Sequence, residues 1–341
     1  MRTTGPERAG GPLRLAEPLA LLDGKAAADA VAAGRAHWLA GGPAAFALLR
    51  LDDTILPAVG APPEILRALT APVPHWAGLP NGAVMGILNL TPDSFSDGGQ
   101  FTSTAHAIDT ALAMTEAGAA LIDVGGESTR PGAAAVTPEQ ERARVLPVIR
   151  ALADRGILVS IDTRNASTMQ AALDAGARIV NDVSALTHDQ AAAHIVARAS
   201  CPVVLMHMRH DPTDMTRLAR YDDVAREVAT ELAARIAVAV AAGIARHNIA
   251  IDPGIGFAKT AEHNLLLLPR LAMLLSLGCR IVIGLSRKGF IGRLSGVTDP
   301  KHRLAGSISA GLHALSHGAA ILRVHDVAET VQAVRVWRGL A

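Results

Sequence analysis

Residues 157–185 read ILVSIDTRNASTMQAALDAGARIVNDVSA. A short apolar run, Leu158–Ile161, ends in the polar residues Asp162 and Thr163, and a segment of helical periodicity follows over Ala166–Ala175. A second apolar run, Ile179–Asn181, then ends in polar residues again. Apolar runs this short are strand-length, and the stretch between them has the 3.6-residue period of an amphipathic helix. Strand, helix and strand in this compass form a βαβ unit, whose two strands lie parallel in one sheet.

The same alternation extends in both directions from this stretch. From residue 82 onward the strand candidates are Val84–Leu88, Leu121–Val124, Leu158–Ile161, Ile179–Asn181, Pro202–Met206, Ile249–Ile251, Arg280–Gly284 and Ala320–Leu322. The helical segments are Thr104–Ala117, Thr137–Ala153, Ala166–Ala175, Gln190–Ala199, Tyr221–Ala242, Glu262–Leu275, Leu304–Ser316 and Val327–Trp337. Eight βα units in about 260 residues match a closed (β/α)8 TIM barrel in count and length. An open doubly wound sheet is the alternative, but it favours fewer strands and a GxGxxG turn, and none follows the first strand.

In such a barrel the loops that follow the strands gather on one face, so residues just beyond strand ends share a cleft. Asn89, Asp97, Glu127, Thr129, Asp162, Asn181, His207, Asp252, Lys288, Arg323 and His325 all occupy such positions. A single polar residue there needs no function, because loops are solvated. Eight successive strands ending this way point to a site. Cys201 and Cys279 instead precede strands, on the opposite face, and read as core thiols.

Residues 1–80 do not continue the repeat. Prolines and glycines punctuate them, with one helical stretch at Lys25–Leu39 and one strand-like run at Phe46–Leu51. They are expected to form an N-terminal extension, a small α/β flap with a disordered start, and carry no chemistry that can be assigned. The barrel is expected to occupy 82–341.

Composition narrows the classes of function. Half of the 341 residues are hydrophobic, and the formal net charge is +1. That balance offers no basic stripe for a phosphate backbone, so nucleic acid is excluded as a natural partner. The longest apolar stretch, Ile236–Ala242, falls well short of the ~18 residues of a spanning helix, and no signal-peptide layout is present. A cytoplasmic enzyme acting on small molecules is expected.

Three groups of residues carry the chemistry. The segment Asn89–Gly99, NLTPDSFSDGG, is a polar loop longer than a turn requires, and Gly125–Gly132, GGESTRPG, has a similar character with Arg130 available to an anion or a ring face. Asp162, Asn181 and Asp252 end the third, fourth and sixth strands. Inward carboxylates can accept paired N–H donors from a 2-amino-4-oxo-pyrimidine edge, and Asn181 can both donate and accept; internal salt bridges or strand-end caps are the plainer reading. After strands seven and eight come GLSRKG at 284–289 and RVHD at 323–326, where many barrels hold phosphate. Lys288 could also form a Schiff base, as in a barrel aldolase.

Taken together these motifs resemble the dihydropteroate synthases: MGILNLTPDSFSDGG at 85–99, DVGGESTRPGA at 123–133, SIDTR at 160–164, IVNDVSA at 179–185, DPGIGF at 252–257, GLSRKGFIG at 284–292 and RVHDV at 323–327. The resemblance implies condensation of 6-hydroxymethyl-7,8-dihydropterin diphosphate with 4-aminobenzoate, giving 7,8-dihydropteroate and pyrophosphate. It implies that Asp162, Asn181, Asp252 and Lys288 bind pterin, with Arg323 against its ring. Asn89 would ligate Mg²⁺, and Asn89, Arg323 and His325 would hold the diphosphate. Thr129, Arg130, Pro131, Phe257 and Ser286 would shape the 4-aminobenzoate pocket. Asp162, Lys288, Arg323 and His325 would be the catalytic set. Sulfonamides would compete with 4-aminobenzoate, and a homodimer is implied.

There are departures from the family pattern. His210 and Asp211 stand where many members have Gly-Thr, and Gly289 replaces a common Ser. Two other functions share parts of the pattern. A pterin-dependent methyltransferase of the same barrel group would keep Asp162, Asn181 and Asp252 but needs no diphosphate site, and a non-catalytic paralogue would bind pterin without turnover.

Overall fold

A computed structural model describes residues 14–72, 76–90, 100–127, 136–209 and 219–340. Eight strands, β5 (Ala83–Asn89), β6 (Leu121–Gly125), β7 (Val159–Asp162), β8 (Ile179–Asp182), β9 (Val203–Met206), β10 (Ile249–Asp252), β11 (Arg280–Gly284) and β12 (Ile321–Val324), form a closed barrel in which β12 pairs with β5. Every pairing around it is parallel. The eight strands read from the sequence are these eight, with ends shifted by at most one residue except at β12, which ends two residues later than expected.

Side chains alternate across each strand, and the alternation sorts them into two cores. Val84, Ile122, Ile161, Val180, Leu205, Ile251, Ile283 and Leu322 face outward and pack under the helices. Met85, Leu121, Ile179, Val204, Ala250, Val282 and Ile321 belong to a separate cluster that fills the barrel. Parallel strands covered on both faces are apolar on both, which is why they read as short continuous apolar runs. Trp76 closes the bottom of the inner cluster, 1% exposed, and its indole N–H donates to the Asn248 carbonyl at 2.8 Å.

The surrounding helices are α3 (Gln100–Glu116), α4 (Pro138–Ala153), α5 (Ala166–Asp174), α6 (Ala192–Ala199), α7 (Val224–Ala241), α8 (Ala261–Leu267), α9 (Gly289–Ser295), α10 (Leu304–Ser316) and α11 (Val327–Leu340). Thr137 begins α4 with a reciprocal capping box with Gln140, and Asp223 caps α7 through the amides of Ala225 and Arg226. The segment expected as one helix over Glu262–Leu275 divides. After α8 the chain tightens into a 3₁₀ run, Leu268–Leu277, because Pro269 lacks the N–H that an α-helical ladder needs. The short α9 had no counterpart among the expected helices.

Ahead of the barrel lie β1 (Ala16–Leu22), α1 (Gly24–Ala32), β2 (His37–Trp38), β3 (Ala45–Leu51), β4 (Thr54–Pro57) and α2 (Pro63–Thr70). β3 pairs antiparallel with β1, β2 and β4. The helix expected over Lys25–Leu39 is shorter: the chain turns at Gly34, with φ +65°, and His37–Trp38 joins the sheet instead. The small sheet is tied to the barrel by ions. Glu17, 4% exposed, accepts from Arg270 at 2.9 and 3.0 Å and from Arg50 at 2.8 Å, while Arg270 also reaches Asp223 at 2.7 Å. Cys201 and Cys279 are both free and buried, and burial pushes each thiol up to about 11, so neither is a nucleophile at neutral pH. No described helix is long and apolar enough to cross a membrane.

Trp76 provides a test of the inner core. Trp76→Ala is expected to cost about 3–5 kcal/mol by denaturant unfolding, and Trp76→Phe, which keeps the ring but loses the bond to Asn248, about 1 kcal/mol.

Candidate active site at the barrel mouth

The alternation that buries Leu121, Ile179, Ala250 and Ile321 inside the barrel puts Asp123, Asn181, Asp252 and Arg323 on the same face, two residues further along each strand. The inner lining therefore changes from apolar to charged toward the C-terminal ends of the strands. Register adds a row across the mouth: Asn89 pairs with Gly125, Gly125 with Asp162, and Asp162 with Asn181. Gly125 has no side chain, and a Cβ built there would lie 3.6 Å from the Asn89 Oδ1 and 3.5 Å from the Asp162 Cβ. The glycine lets two oxygen-bearing side chains approach the same space.

Arg323 joins the two sides of the mouth. Its Nε donates to Asp123 Oδ2 at 2.6 Å and its Nη2 to Asp162 Oδ2 at 2.7 Å, while Asn181 Nδ2 donates to the same Asp123 oxygen at 3.0 Å. The other Asp123 oxygen and the Ser160 hydroxyl are buried and have no partner among the described residues. Buried polar atoms are nearly always paired, so two orphans on the inner face mark where a polar ligand would complete the bonding. Burial is the largest influence on Asp162 and raises it from 3.8 to about 7, with Asp123, Glu141 and Asp182 acting in the same direction and Arg323 against them. Burial also raises Asp252, against the Gly254 amide, which donates to it at 2.7 Å, and the charges of Lys288, Arg323 and Lys259.

The remaining candidates are arranged around this centre. Lys288 Nζ lies 4.4 Å from the centroid of the Phe257 ring, which puts the two loops after β10 and β11 side by side. Ser286 Oγ accepts from the His325 backbone N–H at 3.2 Å and lies 3.0 Å from its Nδ1. The next two residues interlock as well, with Arg287 forming a two-pronged pair with Asp326 at 2.5 and 3.1 Å. Glu127 is held by Arg164 at 2.9 and 3.0 Å, a structural pair at the end of β6. Thr129, Arg130 and Pro131 lie outside the described residues, as do Asp97, His210 and Asp211.

Two members of the cluster were not singled out from the sequence. Asp123 sits inside the apolar strand LIDVG, and a carboxylate in phase with Leu121 and Gly125 on a buried strand was a legible signal. Lys259 is 8% exposed behind the loop that follows β10, and nothing in its local sequence distinguishes it from a surface lysine.

Comparison with known proteins bears on this arrangement. The model of the pterin binding enzyme family matches residues 85–325. Dihydropteroate synthase of Escherichia coli K12 is 46% identical over 254 residues, 74% of this chain and 89% of that protein. The chain belongs to the dihydropteroate synthase family. Among solved members, Xanthomonas albilineans dihydropteroate synthase with 4-aminobenzoic acid superposes with a TM-score of 0.72 at 48% identity, covering 76% of this chain and 93% of that one. The same enzyme in complex with 7,8-dihydropteroate gives 0.69 at 45% identity, covering 75% and 92%. As a dihydropteroate synthase family member, the chain is a transferase on a (β/α)8 scaffold, and the cluster at its barrel mouth is the candidate active site.

The raised Asp162 has a signed consequence. Between its ordinary 3.8 and about 7 the folded protein holds a proton that the unfolded chain has released, so this group weakens folding as pH rises through that window. Asp162→Asn has no such proton. Relative to that variant, the wild type is expected to lose stability between about pH 4 and about pH 7 in urea unfolding; a constant difference would mean that Arg323 keeps Asp162 ionised throughout.

Proposed function

We propose that the chain condenses 6-hydroxymethyl-7,8-dihydropterin diphosphate with 4-aminobenzoate, releasing pyrophosphate, and that the residues gathered at the barrel mouth do so in the roles below. The observation that carries the reading is the inner-face cluster of Asp123, Ser160, Asp162, Asn181, Asp252 and Arg323, with one unpaired buried oxygen on Asp123 and one on Ser160. A flat heterocycle with adjacent N–H donors on one edge satisfies such oxygens in pairs, much as a guanidinium does. Asp252 and Asp162 accept from the pterin, Asn181 both donates and accepts, and Lys288 donates. Arg323 lies against the ring and is held in place by its two carboxylates.

The reaction is a substitution at the pterin methylene. The C–O bond to the diphosphate breaks first, its electron pair leaving with pyrophosphate, and the arylamine nitrogen then forms the new C–N bond and loses a proton. Arg323 and His325 face the charge that grows on the leaving group, and the conjugated ring with Asp162 favours the cation left behind. The arylamine is neutral at pH 7, so no strong base and no covalent enzyme intermediate are required, which leaves Lys288 as a hydrogen-bond donor. Phe257, Ser286, Thr129, Arg130 and Pro131 form the arylamine pocket, which excludes water from the intermediate.

Mg²⁺ fits the donor set. No group of three His, Cys, Asp or Glu gathers among the described residues in a way that would hold a metal by protein ligands alone. The Asn89 amide oxygen, beside Asp162 over the bare Gly125, is a single hard donor of the kind Mg²⁺ accepts when substrate phosphates and water supply the rest. When bound, the ion neutralises charge on the diphosphate. The protein acts in the cytoplasm as a homodimer, and sulfonamides compete with 4-aminobenzoate for its pocket.

Pyrophosphate release from the dihydropterin diphosphate tests the reading. Release is expected to require 4-aminobenzoate and Mg²⁺, to stop on addition of EDTA, and to fall by about 10²-fold or more in kcat/KM in Asp252→Ala and Arg323→Ala. Tight pterin binding without release in the wild type would point instead to a methyltransferase or a non-catalytic paralogue. For the assembly, light scattering on the eluted peak is expected to give twice the chain mass of 35.3 kDa; a monomer at working concentration would refute the dimer.

A further inference from the structure

Behind the Asp252 loop a chain of charged and polar groups that the proposed mechanism does not use runs from the buried Lys259 and His207 out to the half-exposed Glu231. Lys259 Nζ is 3.1 Å from the Gly254 carbonyl, 3.1 Å from the Phe257 carbonyl and 2.9 Å from His207 Nδ1. His207 Nε2 is 2.9 Å from Glu231 Oε2. Glu231 is in turn bound by Arg209, which also reaches Glu227 at 2.7 Å and stacks 4.0 Å from the centroid of Tyr221. Burial holds the His207 ring neutral, pulling it down to about 4, so with its Nε2–H donated to Glu231 its Nδ1 carries the lone pair. Burial pulls Lys259 down to about 7 against the charges of Asp252 and Glu231; its ammonium form has three N–H donors, and here each of the three meets an acceptor.

The turn that these bonds fasten takes left-handed backbone at three positions, the last of them at a residue with a Cβ. Gly254, Gly256 and Ala258 all have positive φ, of +67°, +81° and +48°. A Cβ at Gly254 would lie 2.0 Å from the His207 carbonyl oxygen, so the loop is pressed against the end of β9 at the point where Lys259 meets His207. Other side chains reach the turn with one bond each: Tyr221 Oη donates to the Ala258 carbonyl at 3.0 Å, and Asn264 Oδ1 accepts from the Gly256 amide at 3.0 Å. The Phe257 amide closes the turn by donating to the Gly254 carbonyl at 3.0 Å, and Lys259 adds a second link by bonding the Gly254 and Phe257 carbonyls at once. Those residues stand between Asp252, whose carboxylate accepts from the Gly254 amide, and the Phe257 ring under Lys288.

We infer that Lys259 is a positioning residue of the arylamine pocket: oriented from behind by His207 and Glu231, its ammonium clamps the 254–257 turn so that Phe257 faces the site while Asp252 keeps its carboxylate toward the pterin. It touches neither substrate. The inference rests on the function proposed above for its kinetic arm only, since the shape of the turn can be read without turnover.

The experiment compares full-length wild type with Lys259→Met, Lys259→Arg and Glu231→Gln. Hydrogen exchange of the free proteins is the first readout. In Lys259→Met the amides of Gly254, Gly256 and Phe257 are expected to exchange about tenfold faster or more, with those of β10 unchanged. Kinetics is the second. KM for 4-aminobenzoate is expected to rise about tenfold, the equivalent of one lost hydrogen bond, while kcat falls less than threefold, because Arg323 and its carboxylates are untouched. Lys259→Arg restores part of both. Glu231→Gln alters a half-exposed side chain and tests the inference even where Lys259→Met does not fold; KM is expected to rise two- to fivefold in the same direction. Unchanged exchange in the turn, or a fall in kcat at constant KM, would overturn the role assigned to Lys259. If the wild type itself releases no pyrophosphate, the proposed function fails, and the exchange comparison still decides for or against the clamp.

Discussion

A single guanidinium holds the mouth of this barrel together. Arg323 bonds Asp123 on β6 and Asp162 on β7 from β12, so three strands that are separate in sequence share one charge centre in a space shielded from water. Carboxylates buried that deeply are costly unless a cation faces them, and a guanidinium presents two donors to two different oxygens at once. The geometry depends on barrel closure. β12 comes within reach of β6 only because it pairs with β5, which in turn pairs with β6. The arrangement leaves some bonding capacity unused at Asp123 and Ser160, the side on which a ligand would lie.

Below that centre the barrel is closed by apolar residues, and the division is sharp. The inward positions of the lower layers include Leu121, Ile179, Ala250 and Ile321 with Trp76 beneath them, and on these four strands Asp123, Asn181, Asp252 and Arg323 follow one inward position further up. A rigid, dry floor keeps the charged groups at fixed separations and prevents water from reaching them from underneath. On the outside of the barrel the N-terminal sheet is fastened by Glu17, which binds Arg270 and through it Asp223, the cap of α7. The extension thus contacts the helix that also carries Glu227 and Glu231, the partners of Arg209.

Much of this was legible before folding was considered. The strand count, the parallel order and the barrel followed from the spacing of apolar runs, and all eight strands lie where that spacing put them. Asn89, Asp162, Asn181, Asp252, Arg323 and His325 were legible as strand-end polar residues. What was not legible has physical causes. In the N-terminal sheet only one strand and one helix were legible: Glu17 and Pro18 interrupt the apolar pattern of β1, β4 is mostly exposed, and β2, two residues long, exists only through pairing with β3. The 3₁₀ run after α8 keeps a helical pattern of apolar residues, and its pitch is set by Pro269 and by the packing around it.

By itself the sequence determined the kind of scaffold and the face on which its chemistry collects, because periodicity and strand-end polarity are local properties that each segment carries alone. Partners were another matter. Arg323 and Asp123 are 200 residues apart, Lys259 and His207 are 52 apart, and Glu17 and Arg270 are 253 apart. Which carboxylate meets which cation was decided by the closure of the barrel and the docking of the small sheet. A charged side chain finds its partner through distances that only the assembled fold defines, and it is buried or exposed according to the elements that close over it.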